Sequence, residues 1–281
     1  MVIKRTSAPI RIDFAGGTTD IKPFTHTHGG AVLNATINHY VYGKLIARND
    51  STKLEYHADI PTSSGLGTSS AMNVVWTALI TRLKDKKEIA ENVFRIEQAT
   101  SSSRVNGKQD MYASAFGGIN FMEFKKDNVI IEKLNLGNKL INELEKNLVL
   151  VYSGASHLSG KSNKAAIDNL LKGKNTKNLV ALKKIAYDMR NALRKKDLVK
   201  FIDLMNCETY ERSKLSRQTV SPQLKEIIEL GNKKGALAAK VCGSGGGGSV
   251  LFYTENRRRL EKVFGKKVIQ FKFDWEGLRW G

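Results

Sequence analysis

The first part of the chain alternates apolar and polar positions between glycine turns, a period-two pattern that predicts short strands. The turn Lys126-Asp127-Asn128 separates the last two of these runs, which are therefore predicted to form a hairpin. The predicted strands of this part are Ile10–Phe14, Ala31–Ile37, Val41–Ala47, Ile119–Phe124 and Val129–Leu134.

Helical spacing appears first in Thr68–Leu83, where apolar residues recur every three or four positions from Met72 onward. A second helix is expected over Lys86–Ala99. A shorter one starts near Asp110 and is ended by Gly117-Gly118. The later part of the chain predicts longer helices at residues 161–172, 177–195, 197–214, 222–234 and 257–264.

A second group of strands accompanies those helices. The apolar run Leu148–Tyr152 predicts a buried strand, and further strands are expected at Ala238–Cys242, Ser249–Tyr253 and Lys267–Phe273. Strands precede helices in each half, without a strict βαβ alternation. The pattern therefore favours an α+β fold over a doubly wound parallel sheet.

Composition narrows the class of protein. A length of 281 residues suits one large domain or two small ones, and 41% hydrophobic with 26% charged residues is ordinary for a globular protein. No segment is apolar enough to span a membrane, and the N-terminus is unlike a signal peptide. Two isolated cysteines and scattered histidines predict neither disulfides nor a metal cluster, so a cytoplasmic location is expected.

The formal net charge of +19 leaves three interpretations open. It can reflect a lysine-rich solvated surface, an affinity for anionic small molecules, or binding of nucleic acid. The lysines are dispersed and form no basic stripe interleaved with aromatic residues. Nucleic acid is therefore the least favoured partner, and a membrane partner is not expected.

The most informative segment is Pro61–Ala71, a glycine-rich turn that runs straight into the helix beginning at Thr68. Glycines allow the backbone to approach an anion, and a helix N-terminus offers unpaired N–H groups with a partial positive charge. The hydroxyls at residues 68–70 can cap the helix, bind phosphate or hold a metal ion. On its own, the segment is equally compatible with an ordinary capped helix start.

This segment resembles the phosphate motif Pro-x-x-x-Gly-Leu-Gly-Ser-Ser-Ala of the GHMP kinase superfamily, which includes galactokinase, homoserine kinase, mevalonate kinase and phosphomevalonate kinase; Thr68 stands where serine is usual. Ala8–Asp20 is similar to the family's substrate-side motif, and Lys240–Gly248 to its third, glycine-rich motif. Gly107–Gly118 resembles the segment that holds the catalytic aspartate, and Glu97 corresponds to a magnesium-binding glutamate.

The resemblance implies a two-domain α+β fold, with an N-terminal ATP-binding domain over residues 1–146, a C-terminal domain over 147–281 and the active site between them. It implies ATP and Mg²⁺ as cofactors. The implied catalytic residues are Asp110 and Arg11, and the implied metal ligands are Ser69 and Glu97. The residues implied for ATP are Pro61, Ser64, Gly65, Leu66, Gly67, Thr68, Ser69, Ser70, Gly245 and Gly246; those for the acceptor are Asp20, Gly16, Gly17, Thr18, Lys108 and Gly243.

Within the superfamily, segments such as "FAGGTTD" and "GKQDMYASAFGGINFMEF" are most similar to the heptose kinases. Heptose 7-phosphate is therefore the predicted acceptor, with its phosphate expected near Lys22, Arg104, Lys108 and Lys161. Two alternatives remain, a mevalonate or phosphomevalonate kinase and an inactive binding protein of the same fold. A monomer or homodimer is expected.

A P-loop is a poor alternative explanation for Gly154 and Gly160-Lys161-Ser162. Five residues separate the first glycine from the Gly-Lys pair, whereas the Walker A motif has four. A helix start is expected at this position instead.

Overall fold

The computed structural model describes residues 1–100, 105–154, 159–243 and 245–281, and for 159–163 it describes the backbone alone. The first sheet has six strands, all paired antiparallel, in the order β10-β1-β2-β4-β5 with β3 also on β2. Its strands are β1 (Val2–Ala15), β2 (Gly30–Ala47), β3 (Thr52–Ala58), β4 (Ile119–Lys125), β5 (Asn128–Lys133) and β10 (Arg279–Trp280).

The second sheet has four antiparallel strands in the order β7-β8-β6-β9. They are β6 (Leu148–Tyr152), β7 (Ala238–Val241), β8 (Ser249–Tyr253) and β9 (Val268–Ile269). The helices are α1 (Lys22–Thr27), α2 (Thr68–Ile80), α3 (Lys86–Thr100), α4 (Gln109–Phe116), α5 (Asn138–Asn147), α6 (Ser159–Leu171), α7 (Thr176–Arg194), α8 (Leu198–Ser213), α9 (Pro222–Lys233) and α10 (Arg257–Phe264). The predicted α+β class is confirmed.

One buried apolar cluster joins the two sheets. Phe14 on β1 makes edge-to-face contacts with Phe201 on α8 and with Phe273, at centroid distances of 5.6 and 6.4 Å. Phe201 in turn contacts Tyr253 on β8. Because β1 carries several candidate site residues, this shared core fixes them relative to the C-terminal helices. The domain boundary at residues 146 and 147 stays a prediction.

The two strands predicted at Ala31–Ile37 and Val41–Ala47 are one continuous strand. The polar residues between them form a bulge, since Pro9 pairs with Tyr40 and Ile10 with Ile37. Two hydrogen bonds hold Asn38 at this bulge. Its backbone N–H donates to the Lys272 carbonyl at 2.9 Å, and its side-chain oxygen accepts the backbone N–H of Lys272 at 2.7 Å. A polar interruption therefore bends the strand without ending it.

Several other boundaries differ from the prediction. Helix α2 ends at Ile80, three residues early, because Thr81 turns extended and its hydroxyl bonds the carbonyl of Thr77 at 2.7 Å. Strand β9 keeps only two residues, because the chain then crosses to the first sheet, where Phe273 bridges Ile37. The sequence pattern did not predict α1, β3, α5 and β10, which are short or half-exposed.

No helix in the described part of the chain combines the length and apolarity that crossing a bilayer requires.

Candidate active site

The glycine-rich turn before α2 is built from left-handed backbone. Ser63, Gly65 and Gly67 all have positive φ, at 64°, 79° and 75°. The turn is fixed to β1 by two hydrogen bonds from Arg11, whose backbone N–H donates to Leu66 and whose Nη1 donates to the Gly65 carbonyl at 2.7 Å. Leu66 is fully buried beneath the turn, whereas Pro61 is exposed.

The N-terminus of α2 is open to an anion. Gly67 is its N-cap, no side chain caps its first N–H groups, and no acidic residue lies in the first turn. The first turn carries Thr68, Ser69 and Ser70, of which Ser69 is exposed. Ser64 and Thr68 are buried, with their hydroxyl oxygens 3.4 Å apart. Unpaired N–H groups and a helix dipole favour binding of an anion such as phosphate at this end.

The third glycine-rich segment lies directly on the first. A Cβ on Gly243 would come within 2.8 Å of the Gly65 carbonyl oxygen, and one on Gly248 within 2.7 Å of the Ser64 carbonyl oxygen. Only glycine permits this approach of two backbones. The Gly246 N–H is already bonded to the Thr219 carbonyl at 2.9 Å, so it is not free to donate to a phosphate.

Arg11 and Asp110 form an ion pair beside this turn. Nε and Nη2 of Arg11 lie 2.8 and 2.7 Å from Oδ1 of Asp110. A Cβ placed on Gly67 would lie 3.5 Å from Oδ2 of Asp110, so the carboxylate faces the beginning of α2. Burial by itself would lower the pKa of the Arg11 guanidinium. The negative charges of Asp110 and Asp13 have the larger effect together, so the pKa is raised.

Glu97 on α3 points at the first turns of α2. Its Oε1 accepts from the Ser70 hydroxyl at 2.8 Å and from Asn73 Nδ2 at 3.0 Å. Ser69 and Glu97 were predicted as joint magnesium ligands, and that role stays a prediction. The hydroxyl bonded to Glu97 is that of the adjacent Ser70, which shares one helix face with Asn73. Burial raises the pKa of Glu97, and the charge of Asp110 adds to the effect.

The loop at residues 16–20 is strained. Gly16 has φ +83°, and a Cβ there would lie 2.0 Å from the Ala31 carbonyl oxygen. Thr18 has φ +78°, a conformation that costs a β-branched residue energy. Thr19 holds the loop in place, because its hydroxyl bonds the carbonyls of Gly16 and Ala31 at 2.7 and 2.9 Å. Such strain is typical of loops with a binding role.

Asp20 connects this loop to α4, the helix that carries Asp110. It is 5% exposed, and its Oδ2 accepts the backbone N–H of Gln109 at 3.0 Å. Burial raises its pKa to about 6, with Asp110 contributing. A Cβ on Gly107 would clash with the carboxylate at 1.9 Å, so Gly107 lets the two segments meet.

Lys108 was predicted to bind the acceptor, and the structure argues against that role. Its ammonium lies 2.7 and 2.9 Å from the two carboxylate oxygens of Glu91 and 2.8 Å from the Asp127 carbonyl. It also lies over the ring of Phe94. With its three donors occupied and 6% exposure, Lys108 secures the segment before α4.

Of the other basic residues predicted near a phosphate, the structure describes the side chain of Lys22. Lys22 is exposed and pairs with the exposed Asp127 at 3.4 Å. Arg104 and the side chain of Lys161 lie outside the described residues, as does Ser244 of the third glycine segment. The Gly160-Lys161 backbone lies in the first turn of α6, as expected for a helix start.

A buried ion cluster lies behind the two glycine-rich segments. Asp13 and Lys240 are 3.2 Å apart, Lys240 and Glu208 3.3 Å, and Arg212 and Glu208 2.6 Å. All four side chains are 1% exposed or less. Burial works against the Asp13 charge, but Lys240, Arg11 and Arg212 hold its pKa below the ordinary value.

This cluster holds the loops that flank the site. Arg212 Nη2 donates to the Gly17 carbonyl at 3.0 Å, and Nη1 donates to the Gly243 carbonyl at 3.2 Å. Asp13 accepts the Gly243 N–H at 2.9 Å. Gly17 and Gly243, both predicted at the acceptor site, are therefore tied to one guanidinium.

Sequence reasoning missed Arg212, Glu208, Asn73 and Gln109. A signal existed for the cluster, because Asp13 and Lys240 are charged residues inside otherwise apolar strands. Glu208 and Arg212 are four residues apart on α8, as helix-borne ion pairs are. No residue pattern indicated that these two pairs meet.

The geometry of the site is able to accommodate a polyphosphate at the N-terminus of α2 and a hydroxyl group of a second substrate next to Asp110. Three comparisons with known proteins agree with this chemistry. Residues 32–118 match the family described as GHMP kinases N terminal domain, and residues 189–266 match GHMP kinases C terminal.

The chain is 27% identical to the D-glycero-alpha-D-manno-heptose 7-phosphate kinase of Campylobacter jejuni, over 98% of both chains. It is 28% identical to the phosphomevalonate kinase of Saccharolobus solfataricus, over 77% of this chain and 69% of that one. A crystal structure of D-glycero-D-manno-heptose 1-phosphate kinase from Bacteroides thetaiotaomicron superposes with a TM-score of 0.78 and 26% identity, covering 100% of this chain and 99% of that one.

Proposed function

This chain belongs to the GHMP kinases, ATP-dependent phosphotransferases with a hydroxyl group as acceptor, and we propose that its acceptor is a sugar phosphate, with heptose 7-phosphate as the specific substrate. The observation that carries the proposal is end-to-end similarity to a heptose 7-phosphate kinase, combined with an Arg11–Asp110 pair facing the open end of α2.

ATP is proposed to place its phosphates on the first turn of α2, between the two glycine-rich segments. The free N–H groups at residues 68–70 and the helix dipole would bind the phosphate oxygens. Arg11 offsets negative charge next to this position. Phosphoryl transfer depends mainly on such positioning and charge neutralisation.

The residues present fit a magnesium ion at Glu97. No described residue hydrogen-bonds its Oε2, and hydroxyls of Ser69 and Ser70 lie on the neighbouring helix turn. The described residues contain no cluster of three His, Cys, Asp or Glu that could hold a metal alone. Mg²⁺ accepts few protein oxygens together with phosphate and water, and it would supply charge neutralisation when bound.

Asp110 is proposed to accept or orient the proton of the attacking hydroxyl. Its Oδ1 is occupied by Arg11, which leaves Oδ2 facing the phosphate end. Thr18 and its neighbours in the strained loop would contact the acceptor, and Arg212 keeps that loop against the third glycine segment. Asp20 is proposed to bind acceptor hydroxyls while holding Gln109.

The alternatives have less support. The phosphomevalonate kinase relative matches a smaller part of the chain than the heptose kinase does. An inactive binding protein would not need Asp110, Arg11 and Glu97 placed together around one helix end. A sugar acceptor is therefore preferred, and mevalonates remain the competing acceptors to assay.

The test is release of ADP by the purified protein across heptoses, hexoses, their phosphates and mevalonates. We expect the highest kcat/KM with heptose 7-phosphate. If basic side chains bind its phosphate, this kcat/KM should fall as added salt screens the attraction. Equal kcat/KM on heptose and heptose 7-phosphate would contradict a phosphate pocket. Activity confined to mevalonates would contradict the sugar acceptor.

A further inference from the structure

We propose that Gln109 binds a hydroxyl group of the acceptor and thereby contributes to acceptor specificity, an inference that rests on the sugar acceptor proposed above. Gln109 is the residue directly before Asp110 and opens α4. It therefore lies next to the group that would activate the attacking hydroxyl.

The side-chain amide of Gln109 makes no hydrogen bond to a described residue, and its oxygen is buried. The residue is 8% exposed, its Oε1 is closed off from solvent, and neither end of its amide hydrogen-bonds a described residue. The large majority of buried side-chain polar atoms in proteins are paired, because an unpaired one destabilises the fold. An unpaired amide beside the catalytic carboxylate calls for a ligand.

The amide faces the acceptor loop. A Cβ placed on Gly17 would lie 3.3 Å from Gln109 Nε2, so a side chain at residue 17 would occupy the space beside the amide. The main chain is fixed on the other side, where Asp20 Oδ2 accepts the Gln109 N–H. The amide nitrogen therefore lies beside the acceptor loop, on a residue whose main chain is fixed next to Asp110.

The chemistry of the amide selects the class of ligand. It offers a donor at Nε2 and an acceptor at Oε1, and a hydroxyl group can satisfy either one. A phosphate or carboxylate could use only the donor, and it would meet the carboxylates of Asp20 and Asp110 nearby. Gln109 is thus suited to an uncharged hydroxyl next to the one that is phosphorylated, and the acceptor's phosphate must bind elsewhere.

A purely structural role predicts the opposite result for stability. If the amide made bonds that support the fold, replacing it with an apolar side chain would destabilise the protein. If it is unpaired, Gln109→Met keeps the volume and removes a buried polar group without a partner. We therefore expect the variant to keep or raise its urea midpoint while losing activity, a trade between stability and function.

The experiment compares wild type, Gln109→Met and the matched control Gln218→Met, whose glutamine is exposed. It measures kcat/KM for the best sugar acceptor and for its mono-deoxy forms, KM for ATP, and urea unfolding. We expect Gln109→Met to lower kcat/KM for the full sugar by about 10- to 100-fold, with KM for ATP unchanged. One deoxy sugar, disfavoured by wild type, should react with the variant as well as the full sugar does.

The outcomes separate the two proposals. Wild type that phosphorylates sugars, together with a Gln109→Met variant of unchanged kcat/KM or equal losses on every deoxy sugar, would overturn the role of Gln109 alone. A clear fall in the urea midpoint would also overturn it, by showing that the amide was paired. Wild type that phosphorylates only mevalonates would overturn the sugar acceptor, and the role of Gln109 with it.

Discussion

Arg11 binds a single oxygen of Asp110: both Nε and Nη2 approach Oδ1, at 2.8 and 2.7 Å. The guanidinium is 4% exposed at its side chain, and its Nη1 is bound to the Gly65 carbonyl. No described residue hydrogen-bonds Oδ2 of Asp110. One side chain from β1 therefore fixes the Asp110 carboxylate and the glycine-rich turn before α2 relative to each other, and it leaves the other carboxylate oxygen available to a hydroxyl group.

Replacing Asp110 by Asn should reduce kcat strongly, because the amide cannot accept the proton of the attacking hydroxyl. General acid–base groups contribute about 10²- to 10⁴-fold, and a loss in that range is expected. KM for ATP should stay near wild type, since Asp110 touches no part of the α2 turn by hydrogen bonding. The measurement is steady-state kinetics of wild type, Asp110→Asn and the control Asp203→Asn, which replaces an exposed aspartate on α8. An Asn variant with most of the wild-type kcat would remove Asp110 from the mechanism.

Glu97→Gln should raise the Mg²⁺ concentration needed for half-maximal activity. A neutral amide is a poorer ligand than a carboxylate for a hard cation, whereas it can still accept from Ser70 and Asn73. The matched control is Glu88→Gln, an exposed glutamate on the same helix. The measurement is a magnesium titration of initial rates at saturating ATP. A titration curve that superposes on wild type would mean that Glu97 only braces α2 against α3.

Lys108→Met should lower stability and leave acceptor KM nearly unchanged. The ammonium is shared by Glu91 and the Asp127 carbonyl, and its removal leaves a half-buried carboxylate without its cation. We expect a loss of about 1–3 kcal/mol in the free energy of unfolding, the usual consequence of orphaning a buried partner. The measurement is urea unfolding of wild type, Lys108→Met and the control Lys125→Met, which replaces an exposed lysine. A stable variant with a large rise in acceptor KM would restore Lys108 to the acceptor site.

The sequence could predict the parts of the site that are local. The turn before α2, the start of that helix and a short helix beginning near Asp110 follow from glycines, hydroxyls and apolar spacing within a few residues of each other. The choice of Asp110 as a site residue depended on the family resemblance. The hydrogen bond from Ser70 to Glu97 could not be predicted in this way, because which face of α2 meets α3 depends on packing. The role of Ser69 as a metal ligand stays a prediction.

The contacts that decide roles join residues far apart in the chain. Asp20 meets Gln109 across 89 positions, and Lys240 meets Asp13 across 227. Lys108 was expected near the acceptor's phosphate because its loop was predicted to face the cleft, whereas its ammonium binds Glu91 on α3. Charge and spacing show which residues are chemically able to bind a ligand; only the fold shows which of them are already occupied.

The raised pKa of Asp20 makes a prediction for stability against pH. Burial raises this pKa from 3.8 to about 6, so the folded protein binds the proton more tightly than the unfolded chain does. Below pH 3.8 both states are protonated and the difference vanishes. Between these pH values the folded state holds more protons, so the contribution of Asp20 to stability falls as pH rises. Above pH 6 the full cost of ionising the buried group, about 3 kcal/mol, is present.

Asp20→Asn stays neutral at every pH and keeps an oxygen that can accept the Gln109 N–H. Its free energy of unfolding should therefore gain on wild type by up to about 3 kcal/mol between about pH 4 and pH 7, with most of the gain below pH 6. Urea unfolding of both proteins at several pH values measures the difference, and other titrating groups cancel between them. The control Asp168→Asn, at an exposed site, should show no such trend. A difference between Asp20→Asn and wild type that does not change with pH would show that Asp20 is already ionised in the folded protein at low pH, as a carboxylate held mainly by the Gln109 N–H would be.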